Sequence, residues 1–318
     1  MATTKFVQVS PALDAEIVPE KLNPRPSLLK AIFKARWAYL FISPFFILFL
    51  IFALYPILFS MFLSVNEWKG LGPMNFVGLN NFAQLLKDTV FWGSMVNGVI
   101  IFSLNVPIMT LLALVLAVIL NSKRVRGFRF FRMIIFMPYI TNMAAAGVTF
   151  RLLLQQRDGF VNIVLNSFGV ASVPWLETPF GARVSIALLI TWAWLGYNMV
   201  LMLAGLQTIP ADLNEAAMID GAEKFGVFYR ITIPLMRPMI TFSLVLSTIG
   251  SFGLFTEVFT MTGGGPMNAT ITPIISIFMQ AFTNLRFGYA SAMAYVYFAF
   301  IFALTLFQLK YLNRPDQD

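Results

Sequence analysis

The chain has 318 residues, 58% of them hydrophobic and 11% charged, with a net charge of +8 and neither cysteine nor histidine. A soluble domain carries about 25% charged residues, so this chain has too little polar surface to cover a globule in water. Disulfides, thiolate nucleophiles, imidazole metal sites and histidine bases are excluded by composition. The positive charge collects at the ends of apolar runs, as membrane insertion requires, which points away from nucleic acid as a partner and towards membrane lipid.

Residues 1–36 are polar and proline-bearing and lack the apolar core of a secretion signal. They read as a cytoplasmic tail with a basic approach, Lys30, Lys34 and Arg36, to the first span. About 20 apolar residues are needed to cross ~30 Å of hydrocarbon. Such windows recur at 37–64, 91–120, 133–154, 184–206, 236–261 and 288–311. Residues 37–313 thus form an all-α transmembrane domain of six helices with a cytoplasmic loop at 207–234, and 314–318 form a C-terminal tail. Arg151 closes the third window, and Glu257 lies inside the fifth. Alternate loops gather sixteen Lys and Arg on one side against six on the other. The richer side is cytoplasmic by the positive-inside rule, and it holds both termini, as an even number of spans demands. Long apolar runs rather than ~10-residue alternation exclude a β-barrel. Ala144, Ala145, Ala146 and Gly147 allow helices to approach closely.

Between the fourth and fifth spans lies Ile209-Pro210-Ala211-Asp212-Leu213-Asn214-Glu215-Ala216-Ala217-Met218-Ile219-Asp220-Gly221. Thr208 is a candidate cap, Pro210 suits the first turn and Asp212 complements the helix dipole. Helical spacing puts Leu213, Ala216, Ala217, Asp220 and Gly221 on one face of small residues. Such a face is too weakly apolar to span a membrane and suits close docking of another protein. A second short helix is expected through Phe225, Phe228 and Tyr229, ending at Ile233-Pro234.

These residues resemble the cytoplasmic loop of ABC importer permeases: Glu-Ala-Ala, three residues, Gly, nine residues, then Ile-x-Leu-Pro. Here Glu215-Ala216-Ala217 is followed at that spacing by Gly221 and Ile231-Thr232-Ile233-Pro234, with Ile233 in place of Leu. The likeness extends over about 37–313 and is to the maltose-type sugar permeases. Trp194-Leu195-Gly196, Leu206-Gln207-Thr208-Ile209-Pro210 and Met261-Thr262-Gly263-Gly264-Gly265-Pro266 carry it. The resemblance implies a type I importer permease in the bacterial inner membrane. Its partners would be a second permease, two ATP-binding subunits and an extracytoplasmic solute-binding protein. The 209–226 segment would be the coupling helix, touching the ATPase through Glu215, Ala216, Ala217, Asp220 and Gly221. No Gly-x-x-x-x-Gly-Lys-Ser/Thr loop occurs, so ATP and magnesium belong on the partner, and this chain binds no cofactor or metal and has no catalytic residue.

Polar groups inside spans are costly unless they face protein or water. Tyr139, Asn142, Trp192, Trp194, Gly196, Tyr197, Asn198, Ser247, Ser251 and Glu257 meet that description. Aromatic rings stack on the apolar faces of sugars, while Asn and Ser serve hydroxyls. The maltose-type resemblance places Tyr139, Gly196, Tyr197, Ser247 and Ser251 near the sugar path. Asn142 and Asn198 also suit ties between helices, and a serine in a span often bonds its own preceding turn. Permeases for polyamines, phosphate or amino acids share the loop. A secondary transporter would instead show internal repeats, broken helices and intramembrane ion ligands, of which Glu257 is the one visible candidate.

Overall fold

The computed structural model describes residues 35–122 and 127–312. The tail at 1–34 with Lys30 and Lys34, the basic residues at 123–126, and 313–318 lie outside them. Two units divide at Pro56 and Ile57.

Helix α1, Arg36–Ser64, is apolar throughout and contains a π-helical stretch at Leu50–Leu54. No side chain between Arg36 and Phe49 is buried. After α1 a two-stranded antiparallel ribbon pairs β1 (Asn66–Glu67) with β2 (Asn75–Phe76), and α2 (Asn80–Leu86) follows. Asp88 then caps α3, Thr89–Asn121, by accepting from the Val90 and Phe91 amides at 2.9 and 3.0 Å. Helix α7, Pro179–Gln207, is capped by Thr178, which accepts from the Gly181 amide at 3.2 Å. α3 and α7 pack along their lengths, and α9, Phe225–Phe252, lies against both. Helix α12, Phe287–Leu312, closes on α9, where the Tyr297 hydroxyl donates to the Phe252 carbonyl.

Five described helices are long and apolar enough to cross a membrane, six if one bent pair is a single span. That pair stands where an unbroken third span is expected. It consists of α4 (Phe128–Ile140) and α5 (Met143–Leu153), meeting at 97°. The break has a local cause. Met137–Ile140 tightens into a 3-10 turn around Pro138, and Asn142 restarts the helix by accepting from the Ala144 and Ala145 amides at 2.9 and 3.2 Å. A short helix α6, Phe160–Ser167, precedes α7.

The fifth span also departs from expectation. It begins earlier, at Phe225, and ends at Phe252. Pro234 does not stop a separate loop helix. A π-helical stretch at Phe228–Thr232, in which the Ile233 amide bonds back to the Phe228 carbonyl, shifts the register ahead of the proline and carries the helix through. At the other end the Gly253 amide bonds to the Ile249 and Gly250 carbonyls and terminates α9. Glu257 therefore lies outside the fifth span, in a separate helix α10, Thr256–Met261, which packs on α5. Helix α11, Pro273–Thr283, leads into α12.

Two apolar layers cross the α3, α7 and α9 assembly. One contains Ile101, Ile186, Leu189, Ile190, Leu254 and Val258. The other contains Ala113, Ala117, Met199, Met202, Leu206 and Met236. Between these layers α3 carries the buried Asn105, and α7 carries Thr191 and the buried Asn198.

Candidate functional site

Between the layers lies a cavity of about 240 Å³ lined by Asn105, Met109, Trp194, Ser247, Ser251 and Glu257, among others. Each long helix supplies one turn of its inner face: Asn105 and Met109 from α3, Ile190 and Trp194 from α7, Ser247 and Ser251 from α9. α3 runs from Thr89 to Asn121 and α7 from Pro179 to Gln207, so Asn105 and Trp194 fall at their midpoints. Leu254 and Glu257 close the cavity from the segment beyond α9.

The polar atoms divide into used and free. Asn198, buried, donates to the Trp194 carbonyl at 3.1 Å and accepts from the Ser243 and Ser247 hydroxyls at 2.5 and 3.0 Å. It ties α7 to α9, as a buried amide in a helix pair commonly does. Asn105 donates to the Thr191 hydroxyl at 2.8 Å and to the Ala187 carbonyl at 3.4 Å. Its Oδ1 has no partner, and neither has Ser251 Oγ, although Asn105 and Ser251 are only 1% and 4% exposed. Buried polar atoms without partners are uncommon in folded proteins. Two of those among the described residues belong to side chains that line this one cavity.

The aromatic candidates form a cluster. Tyr139 stacks on Tyr197 with centroids 4.8 Å apart and rings 18° from parallel. Trp194 meets both edge-on, at 5.3 and 6.0 Å. The two tyrosines occupy each other's faces, and of the three only Trp194 reaches the cavity. Trp192 packs instead on Phe150, at 5.3 Å. Gly196 serves the helix contact. A Cβ there would collide with the Ile135 carbonyl and the Phe136 backbone, so the glycine lets α4 lie directly on α7. Asn142, exposed, caps α5 and is absent from the cavity. Of the sequence candidates, Trp194, Ser247, Ser251 and Glu257 come together. Tyr139, Tyr197, Asn198 and Gly196 support them from behind, and Asn142 stands apart.

Asn105 and Met109 were missed by the sequence reading. Their signal was present: Asn105 is a lone amide at the centre of an apolar run, which is as costly there as Asn198 is in its own.

The loop after α7 forms helix α8, Ala211–Ile219. Pro210 is its N-cap and no side chain caps it; Thr208 instead donates to the Gly205 carbonyl at 2.8 Å, at the end of α7. Asp220 and Gly221 leave the helix rather than extending its face. Gly221 adopts φ +86, the Gly221 amide bonds to the Met218 carbonyl at 3.2 Å and the Ala222 amide to the Ala217 carbonyl at 2.9 Å. That pair of bonds around a left-handed residue is a Schellman termination, for which glycine carries no Cβ penalty. Glu215, Ala216, Asp220 and Gly221 are exposed. Leu213, Met218, Ile219 and Phe225 are exposed beside them, at 45, 46, 85 and 75%. Together they form an exposed apolar patch in the segment that joins α7 to α9.

Residues 88–314 match the family described as binding-protein-dependent transport system inner membrane component. The lactose transport system permease protein LacF of Rhizobium radiobacter is 40% identical over 85% of this chain and 92% of its own length. The trehalose/maltose transport system permease protein MalF of Thermococcus litoralis is 34% identical over 87% of this chain and 94% of its own. Among solved structures, a chain of a bacterial ABC transporter importing the acidic polysaccharide alginate superposes with TM-score 0.79. It has 21% identity and covers 91% of this chain and 99% of that one, a likeness of fold.

Proposed function

The chain belongs to the inner membrane components of binding-protein-dependent transport systems, and on that premise we propose that it forms half of the path for a sugar or oligosaccharide in an ATP-driven importer. It is a multi-pass permease of the inner membrane, a subunit of an ABC importer supplied by a solute-binding protein. In this proposal a second permease completes the path, and two ATP-binding subunits with their ATP and magnesium dock on α8. Both termini lie in the cytoplasm, on the side of α8.

One observation carries the reading. The cavity with unpartnered polar atoms sits at the midpoints of α3 and α7, and α7 runs on without interruption to the exposed segment at 211–221. A tie at Asn198 joins α7 to α9, the two helices that flank that segment. Movement imposed on α8 by nucleotide-driven closure of the ATPases thus reaches both sides of the cavity. A ligand-driven change needs two states with different contacts, and α8 is the surface where those contacts change. The broken third span and the buried Glu257 are features of ion-coupled carriers as well. The full-length likeness to permeases of binding-protein-dependent systems favours ATP coupling.

The test is uptake by the importer reconstituted with its partner subunits and binding protein. Radiolabelled lactose and related neutral sugars are offered, with a polyamine, phosphate and an amino acid as competitors. ATP-dependent sugar uptake that Glu215→Arg abolishes, with assembly intact, is the expected result. Accumulation without ATP, or of a non-sugar alone, overturns the reading.

A further inference from the structure

One concentration of charge has no part in the transport path. Between Asp88 and Asp158 the sequence holds no acidic residue, yet residues 123–132 include five Lys or Arg. Arg129 and Arg132 of these lie in the first turns of α4. Their guanidinium carbons stand 5.9 and 4.7 Å from the centroid of the same ring, that of Phe128. Arg132, half-buried, also donates to the Leu120 carbonyl at 3.2 Å, while Arg129 is exposed and keeps its whole fork for a guest. Neither arginine meets a carboxylate among the described residues. Two cations drawn to one ring repel each other, and an anion beside them removes that cost.

The depth of the pair follows from what α4 touches. The apolar run of α3 ends at Leu120, with Asn121, Ser122 and Lys123 next, so the Arg132 bond marks the edge of the hydrocarbon. Further along α4, Ile135 and Phe136 press on Gly196, about three turns inside the end of α7. α4 thus runs inward from the membrane surface, and its arginines stand at the level of the headgroups. On its opposite side Phe130, Met133, Ile134 and Met137 recur at i, i+3, i+4 and i+7 and are all exposed. A soluble partner covering that stripe would have to follow it into the hydrocarbon, where acyl chains already lie. Above those chains sits a phosphodiester, and a guanidinium fork matches its oxygens.

We propose that the start of α4 binds an anionic phospholipid, with its phosphate on the Arg129 fork beside the Arg132 charge and its acyl chains along Phe130, Ile134 and Met137. The bound lipid braces the helix that lies on α7 at Gly196. The site requires that the chain spans a membrane and is independent of what the chain carries.

The experiment uses the assembled importer in nanodiscs of phosphatidylcholine with phosphatidylglycerol as the minor lipid. Each lipid is supplied in turn with a photoreactive acyl chain, and the adducts are mapped by mass spectrometry. Phosphatidylglycerol should label residues 127–137 at least about tenfold more than phosphatidylcholine does, at equal amounts. In Arg129→Gln that preference should fall about fivefold with assembly intact, the share of one arginine at a charged surface. Equal labelling by the two lipids, or a preference that R129Q leaves unchanged, overturns the site. Displacement of the lipid by excess glycerol 3-phosphate marks a site for soluble phosphates instead and overturns it too. Loss of the ATP-binding subunits from R129Q, with labelling unaltered, assigns this face to a protein partner and refutes the lipid. Should R129Q not assemble, the wild-type comparison decides alone: preference for phosphatidylglycerol supports the site and equal labelling overturns it. No outcome depends on the solute, so the sugar reading and the lipid site fail separately.

Discussion

The helix Ala211–Ile219 keeps most of its side chains in the open, whereas the middle turns of α7 bury Ala193, Gly196, Asn198 and Met199. Both stretches use small residues, for opposite reasons. In α8 Ala216 and Ala217 would leave room for the ATP-binding partner proposed above. In α7 Gly196 leaves room for α4 within the chain. Smallness in a helix therefore has no fixed meaning; what surrounds it decides.

The sharpest way to break this contrast is Gly196→Val. Branched carbon at that position meets the Ile135 carbonyl and the Phe136 backbone, neither of which is the end of a flexible side chain. A cost at or above the ~1–3 kcal/mol of ordinary overpacking is expected, seen as lost membrane yield and a lowered thermal midpoint in detergent. A stable G196V protein with normal uptake would show that α4 does not need that close approach. Asn198→Leu comes next. It strips the acceptor from Ser243 and Ser247 and should cost about 1–3 kcal/mol. Adding Ser243→Ala and Ser247→Ala should recover part of that loss, because no hydroxyl is then left unpaired. A triple variant no more stable than the single one would refute the tie.

Gly221→Ala probes the other region. Nothing lies within 4 Å of the new Cβ, but φ +86 is unfavourable for it, by roughly 1–2 kcal/mol. That strain falls on an exposed helix end, so the global melting temperature should hold while ATP-driven uptake falls. A parallel drop in both would place α8 inside the cooperative core. The smallest change in stability is expected from Ser251→Ala. Its hydroxyl has no partner to lose, so stability should stay within about ±0.5 kcal/mol, while the sugar concentration for half-maximal uptake rises severalfold. Unaltered transport in this variant would take Ser251 out of the path.

The helix at Ala211–Ile219 was legible in the sequence because its residues are contiguous and their spacing is part of the signal. The cavity was only half legible. Ser247 and Ser251 share a helical face by spacing alone, but Asn105 joins them from a helix more than a hundred residues away. Only packing shows that its amide oxygen goes unused. Hydropathy located most of the helices but not their interruptions. Residues 128–153 are apolar across the 97° break because the cap at Asn142 and the turn at Pro138 redirect the chain without changing its polarity. For the same reason Glu257 read as part of a span, when Gly253 had already ended it.

Far from α8, the Arg183 guanidinium donates to the Ala269 carbonyl at 2.9 Å and to Asn97 Oδ1 at 2.8 Å, and Asn97 donates in turn to the Asn268 and Ile271 carbonyls. The loop that bears the exposed Met267 is thereby fastened to α3 and α7 together. A rim held in this way surrenders its freedom when the chain folds, so a visiting protein has little left to immobilise and association keeps more of its contact energy.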